Sequence, residues 1–168
     1  KQKEDELRVQ PSIEVLFEGA DLEKYHKTDS LDKSIIDELA YVKEKFCYLF
    51  VGHWLQGDFG QDRKDIGMLI KTFCETFKNK ASRNRPALIL KTSGATFSIM
   101  DRTSCMQRIR EILVPYGANA PKVYLLHGDL SDYEINSLYN HPKVKAMVSF
   151  THGEGYGRPL AEFSITGK

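Results

Sequence analysis

The amino-acid sequence predicts an α/β domain built as a doubly wound parallel sheet with helices on both faces. Three observations carry that expectation. Strand-like apolar runs and amphipathic helical stretches alternate four times along the chain. The runs at 46–51 and 87–90 are almost continuously apolar, the pattern of strands covered on both faces. Each strand-like run gives way to a polar or Gly-bearing loop that leads into a helix, and right-handed crossovers are the ordinary way to join such units.

Composition sets the outer bounds. The 168 residues suit one domain better than two. Hydrophobic residues at 41% and charged residues at 28% are ordinary globular values, which argues against disorder. With 24 Lys+Arg against 23 Asp+Glu, the net charge of +1 gives no electrostatic case for nucleic acid or an anionic membrane as main partner. No run of 18 apolar residues occurs, and the charged residues 1–8 lack a signal-peptide core. Cys47, Cys74 and Cys105 are widely spaced and belong to no CxxC or Cys/His cluster. They read as reduced, small apolar residues, which points to a cytoplasmic location.

In chain order, residues 1–11 read as a charged leader or linker and 12–168 as the domain. Residues 12–17 form a strand candidate closed by Gly19. Asp29-Ser30 offers an N-cap before Leu31, Ile35, Ile36 and Leu39, which share helical spacing. The strand at 46–51 ends in Gly52, and 53–62 is a loop. Ile66, Leu69, Ile70, Phe73 and Phe77 mark the clearest amphipathic helix, broken by 83–86. A strand at 87–90 follows, then a helix through Met106, Ile109, Ile112 and Leu113 that stops near Pro115 and Gly117. Residues 123–126 form the next strand. Ser131-Asp132-Tyr133-Glu134 is a capping box ahead of Ile135, Leu138 and Tyr139. The last strand, 144–150, feeds a Gly-rich loop and a helix with Pro159 in its first turn. The sequence stops at Thr166-Gly167-Lys168, where an α/β chain ordinarily adds another strand, so the domain is expected to be incomplete at its C-terminal end.

Ligands of such sheets lie beyond the carboxyl ends of the strands, which singles out loops 52–64, 91–95, 127–131 and 151–158. The last of these is the most informative. Glycines ahead of a helix N-terminus suit a phosphate, because backbone N–H groups can approach it closely. A generic tight turn is the alternative. The spacing is GxGxG after the final strand, so it is neither the dinucleotide fingerprint nor a Walker loop. Glu154, in the loop, and Glu162, in the helix, are separated by seven intervening residues. Two carboxylates can accept hydrogen bonds from sugar diols, or stabilise positive charge developing on a sugar. A pair of solvated glutamates is the plainer reading.

The stretch Glu154-Gly155-Tyr156-Gly157-Arg158-Pro159-Leu160-Ala161-Glu162 resembles the donor-binding motif E-G-[FY]-G-x-P-x-x-E of retaining GT-B glycosyltransferases of family four, the group 1 glycosyl transferases. The resemblance runs through nearly the whole chain. Residues 13–22 are similar to the opening of that family's C-terminal domain, 48–52 to its first strand, Lys64-Asp65 to the Lys-Gly that follows, and 123–139 to its third strand and next helix. Thr166-Gly167-Lys168 resembles the start of its T-G-x-P-V-I segment.

What the resemblance implies is specific. The chain would be the Rossmann-like C-terminal half of a GT-B enzyme that moves a hexosyl group from a UDP- or GDP-sugar to an acceptor glycan, lipid or protein, with retention. A separate N-terminal domain would hold the acceptor and make any peripheral membrane contact, so this piece alone is expected to be inactive. Glu154 would face the donor sugar, and Lys64 would stabilise the departing diphosphate. Glu162 would hold the ribose diol. Gly155, Tyr156, Gly157, Arg158 and Leu160 would help bind the diphosphate through backbone N–H groups, and Gly128, Asp129 and Leu130 would edge the base. His53 departs from the Arg usual in the family; Arg63 is the candidate to compensate. Lys91, at the end of its own strand, reads as a surface lysine, with a second cation near the crevice as the alternative. His152 is a candidate for the sugar pocket, and Trp54 either stacks on a partner or packs locally. No Asp-x-Asp pair and no His/Cys cluster occurs, so a metal-independent reaction without cofactor is expected. The rival reading is a non-catalytic α/β domain that binds a nucleotide or sugar or serves as an interaction domain.

Overall fold

The sheet is organised around β1 (Cys47–Val51), which is paired in parallel on both sides. In the computed structural model, which describes residues 12–55 and 60–168, β2 (Ala87–Lys91) lies on one side of β1 and β4 (Val144–Met147) on the other. β3 (Val123–Leu126) lies outside β2, giving the order β3-β2-β1-β4 with all strands parallel. Helices α1 (Lys33–Ala40), α2 (Ile66–Phe77), α3 (Ile99–Leu113), α4 (Asp132–Asn140) and α5 (Arg158–Ile165) cover the two faces. The doubly wound α/β expectation therefore holds.

The continuous apolar runs are resolved by strand alternation. Cys47, Leu49 and Ile89 point to a core shared with Ile35 and Leu39 of α1, Leu138 and Tyr139 of α4, and Phe163 of α5. Phe50, Leu88 and Leu90 point the other way, onto Ile66, Leu69, Ile70 and Phe73 of α2 and Ile109 of α3. Burying each such side chain contributes about 1.5–3 kcal/mol. Cys47, Cys74 and Cys105 are buried free thiols, and burial pushes the first two up to about 11, so they stay protonated at neutral pH.

Local signals place most boundaries. The capping box is present: the Ser131 hydroxyl accepts from the Glu134 N–H at 3.3 Å, and the Glu134 carboxylate accepts from the Ser131 N–H at 2.8 Å. α1 starts later than expected. Its N-cap is Asp32, not Asp29 or Ser30, because the Thr28 and Asp32 N–H groups are drawn onto Asn140 and Ser137 of α4. β4 ends at Met147 rather than 150, with one further rung from the Val148 N–H to the Leu49 carbonyl. α3 begins earlier than its apolar spacing suggests, at an N-cap Ser98 that accepts from the Asp101 N–H.

The expectation of a strand at 12–17 is corrected. These residues form no regular element, and Ile13, Val15, Leu16 and Phe17 are between 76% and 95% exposed. Alternating β-formers make a strand only where a partner strand accepts their hydrogen bonds, and no described strand does so here. The leader assigned to 1–11 lies outside the described residues. Among the described residues, no helix is long and apolar enough to cross a membrane.

The contrast between the two apolar segments is measurable. Leu49→Ala, at the centre of the doubly paired strand, is expected to lower unfolding free energy by about 2–5 kcal/mol. Phe17→Ser is expected to change it by less than about 0.5 kcal/mol. Urea titrations of the two variants check both values.

Candidate functional site

β1 leads through α2 to β2 on one side, while β4 lies on the other, so the loops after β1 and β4 diverge. A crevice opens at such a switch point. Loop 60–65, ahead of α2, brings Lys64 to it, and loop 151–157, ahead of α5, brings Glu154. The Lys64 ammonium and the Glu154 carboxylate form an ion pair. Arg63 Nη1 donates to the Gly153 carbonyl at 2.7 Å and reaches Glu154 Oε2 at 3.4 Å. The backbone is stapled across the same gap, since the His152 N–H donates to the Arg63 carbonyl at 2.9 Å. Burial pushes the Glu154 carboxyl up, but the Lys64 hydrogen bond and charge, the Thr151 hydroxyl and Arg63 more than offset it. Glu154 is therefore held below its ordinary value and is an anion at neutral pH.

The loop ahead of α5 is shaped for close approach. Gly157 adopts φ 76° as the N-cap of α5, a left-handed conformation that favours glycine. The N–H groups of Gly155, Tyr156, Gly157 and Arg158 take no acceptor among the described residues. They lie at the positive end of the α5 dipole. Leu160 and Pro159 form apolar walls beside Glu154 and Lys64.

Glu162 sits apart from Glu154, inside the fold. It is 6% exposed and fully engaged: Arg158 Nε and Nη2 donate to Oε1 at 3.2 and 3.1 Å, and the Tyr139 hydroxyl donates to Oε2 at 3.3 Å. Burial raises its carboxyl above the ordinary value against the opposing pull of Arg158 and Tyr139. A ligand diol reaches this carboxylate only in exchange for those donors.

Next to the Lys64 site lies a cleft of about 220 Å³ at the ends of β1 and β2, lined by Gly52, His53, Lys91, Ser93, Phe97 and Asp129 among others. The reading of Lys91 as a surface lysine is corrected here. It is 9% exposed, with Nζ donating to the Gly128 carbonyl at 2.7 Å and lying 5.5 Å from the Phe97 ring centre. As the last residue of an interior strand, it is covered by the loops of both neighbours. His53 Nδ1 pairs with the Ser93 hydroxyl at 3.2 Å. Leu130 packs against the α1, α4 and α5 core. Trp54 is buried in the opposite core with the Arg108 guanidinium 5.5 Å from its ring centre, so it packs locally. A groove of about 840 Å³ lies near the ends of α2 and α3, away from these residues.

Three features had no sequence signal. His127 Nε2 pairs with Asp101 Oδ2 at 2.8 Å, and the same oxygen accepts from the Gly94 N–H at 2.9 Å, which fixes the loop after β2. The partners are 26 residues apart, so no motif spacing reveals them. Asp65 adopts φ 48° and ψ 44°, and among the described residues no other non-glycine has positive φ. Its Oδ2 meets His152 Nε2 at 3.2 Å, while its Oδ1, like Asp62 Oδ2, is buried without a hydrogen-bond partner. Among the described residues, no group of three or more His, Cys, Asp or Glu converges as metal ligands.

No family model matches the chain, and no curated protein matches it. A solved structure does: the C-terminal domain of a glycosyl transferase group 1 family protein from Francisella tularensis, at a TM-score of 0.61 and 15% identity, over 88% of this chain. The chain spans 66% of that neighbour's length. The likeness is one of fold, a Rossmann-like α/β sheet with four parallel strands and flanking helices.

Two expectations follow from this geometry. Asp65→Gly is expected to stabilise the protein by about 1 kcal/mol, because it removes a left-handed side chain and a buried unpaired oxygen. A fall in melting temperature would mean that the carboxylate makes a compensating contact. Glu154 has a folded pKa below its ordinary 4.5, so its stabilisation is present above that pH and is lost as pH falls through the folded value. The stability gap between wild type and Glu154→Gln is thus expected to hold at neutral pH and close on acidification, as chemical unfolding at several pH values will show.

Proposed function

We propose that this chain is the donor-binding domain of a retaining glycosyltransferase, taking a UDP- or GDP-sugar whose hexosyl group passes to an acceptor held by a second domain. The observation that carries this reading is the meeting of Lys64 and Glu154, some 90 residues apart, at the β1/β4 switch point beside four uncommitted N–H groups. The motif resemblance and the shared fold support it.

On this reading, the diphosphate enters at the α5 N-terminus and exchanges with Glu154 for the Lys64 ammonium. As the bond from the anomeric carbon to the phosphate oxygen breaks, negative charge grows on the diphosphate. Lys64 and the N–H groups of residues 155–158 stabilise it, strongly because they are already oriented. The freed Glu154 carboxylate accepts from sugar hydroxyls and faces the positive charge developing at the ring. Arg63 keeps the Gly153 carbonyl, and hence the loop, in place. The cations in this scheme are side chains, so it needs neither metal nor cofactor. The buried free thiols fit a reducing compartment, so the reading places the protein in the cytoplasm. The acceptor hydroxyl, and therefore turnover, requires the second domain.

A second reading, a non-catalytic sugar-binding or interaction domain, is favoured by one observation: both oxygens of Glu162 are already taken by Arg158 and Tyr139.

Calorimetry tests the donor reading. UDP or GDP is expected to bind, and Lys64→Ala to weaken binding by about 10- to 100-fold, the range of one charge-assisted hydrogen bond. Absence of binding by either nucleotide at about 1 mM, equivalent to roughly 4 kcal/mol of binding free energy, contradicts it. Donor hydrolysis by a chain that includes the second domain separates enzyme from module, because a module shows none.

A further inference from the structure

Two buried lysines flank Gly52. A Cβ on Gly52 would come within 3.5 Å of Lys64 Cε, and Gly52 also lines the 220 Å³ cleft that contains Lys91. At about 30 Å³ per water, that cleft accommodates a phosphoryl group and part of what it is attached to.

The lysines differ in company. Lys64 has Glu154 as its counter-ion. Lys91 is equally buried, at 9% exposed, yet makes no ion pair among the described residues. Its hydrogen bond goes to the neutral carbonyl of Gly128, and an ammonium has three donors to satisfy. Burial disfavours its charged form and the Asp129 carboxylate offsets this only in part, so a closer anion would favour the charge further. The adjoining Thr92 is 1% exposed, lines the same cleft, and has a hydroxyl oxygen with no partner.

The rim of the cleft is fixed rather than pliant. The Trp54 N–H donates to the Ser93 carbonyl at 2.7 Å, the Gly52 N–H to the Lys91 carbonyl at 3.1 Å, and Asp101 holds Gly94 and His127. A buried cation on a rigid strand end, with Asp129 near it but no ion pair of its own among the described residues, and beside an unspent hydroxyl, is preorganised for an anion. His53 also lines the cleft, and Lys91 brings a charge to the same place from the neighbouring strand.

We propose that the Lys91 cleft is a phosphate subsite, with Lys91 taking the nucleotide-proximal phosphate of a diphosphate whose sugar-bearing phosphate lies on Lys64 across Gly52. The assignment rests on the donor reading given above. Asp129 lines the same cleft and opposes an anion there, so Asp129→Asn is expected to tighten binding.

Calorimetry with UDP, GDP, pyrophosphate, uridine and guanosine on wild type, Lys91→Met and Lys91→Arg tests this. Lys91→Met is expected to weaken the diphosphates by about 10- to 100-fold and leave the nucleosides unchanged, with partial recovery in Lys91→Arg. Its melting temperature is expected to hold or rise, because a buried charge that makes no ion pair is gone. If Lys91→Met binds UDP and GDP as wild type does, the subsite is wrong and the donor reading stands. If pyrophosphate binds through Lys91 while neither nucleotide binds, the subsite stands and the donor reading fails. Absence of all binding overturns both. Should Lys91→Met not fold, the Lys91 ammonium resonance in the wild-type chain decides: pyrophosphate shifts it if the subsite is real, and an unmoved resonance refutes the subsite.

Discussion

The parallel pairing of β1 on both sides is the constraint from which the rest follows. Once β4 joins β1 opposite β2, the loops leaving their carboxyl ends must turn away from each other. The polar groups on those loops then face one another across a gap rather than packing together. Lys64 and Glu154 meet there because the sheet order brings them together, not because they are near in sequence. The same order sets Lys91 one strand over, on the far side of Gly52.

Among the described residues, the cations of the two crevice loops are already matched, and Lys91 is not. Lys64 and Arg63 hold Glu154, and Arg158 holds Glu162. Opposite charges about 4 Å apart attract by about 4 kcal/mol at an effective dielectric near 20, so binding here is an exchange of partners. A ligand that is to win that exchange must carry more than one negative charge, which favours a diphosphate over a neutral sugar. On the donor reading, exchange also frees Glu154 at the moment a sugar arrives beside it. Loop rigidity matters as much as charge. The Asp101 bridge to Gly94 and His127, and the staple between His152 and Arg63, hold the donors in place before any ligand enters.

The sheet and the motif loop were legible because both are local. Apolar runs bounded by Gly52 and Pro86, the capping box at Ser131, and the glycines around Tyr156 each encode their own geometry within a few residues. What was not legible depends on distant partners. The segment 12–17 alternates like a strand, but exposure shows that alternation without a pairing edge does nothing. Lys91 reads as a surface lysine because its cover comes from Phe97 and Gly128, which the chain brings back only in the fold. Glu162 looks open along the sequence, yet the position four residues earlier and a tyrosine 23 residues away close over it. Asp65 carries a backbone conformation that residue identity would not suggest.

The central claim is that a nucleoside diphosphate binds where β1 and β4 diverge. Backbone amide resonances of the protein, followed by NMR during titration with UDP and with GDP, test it most directly. The account predicts that the amides of Gly52, Lys64 and residues 154–158 shift together and saturate with one of the two nucleotides. Shifts confined to the groove between α2 and α3, or none at either nucleotide's saturating concentration, would contradict it.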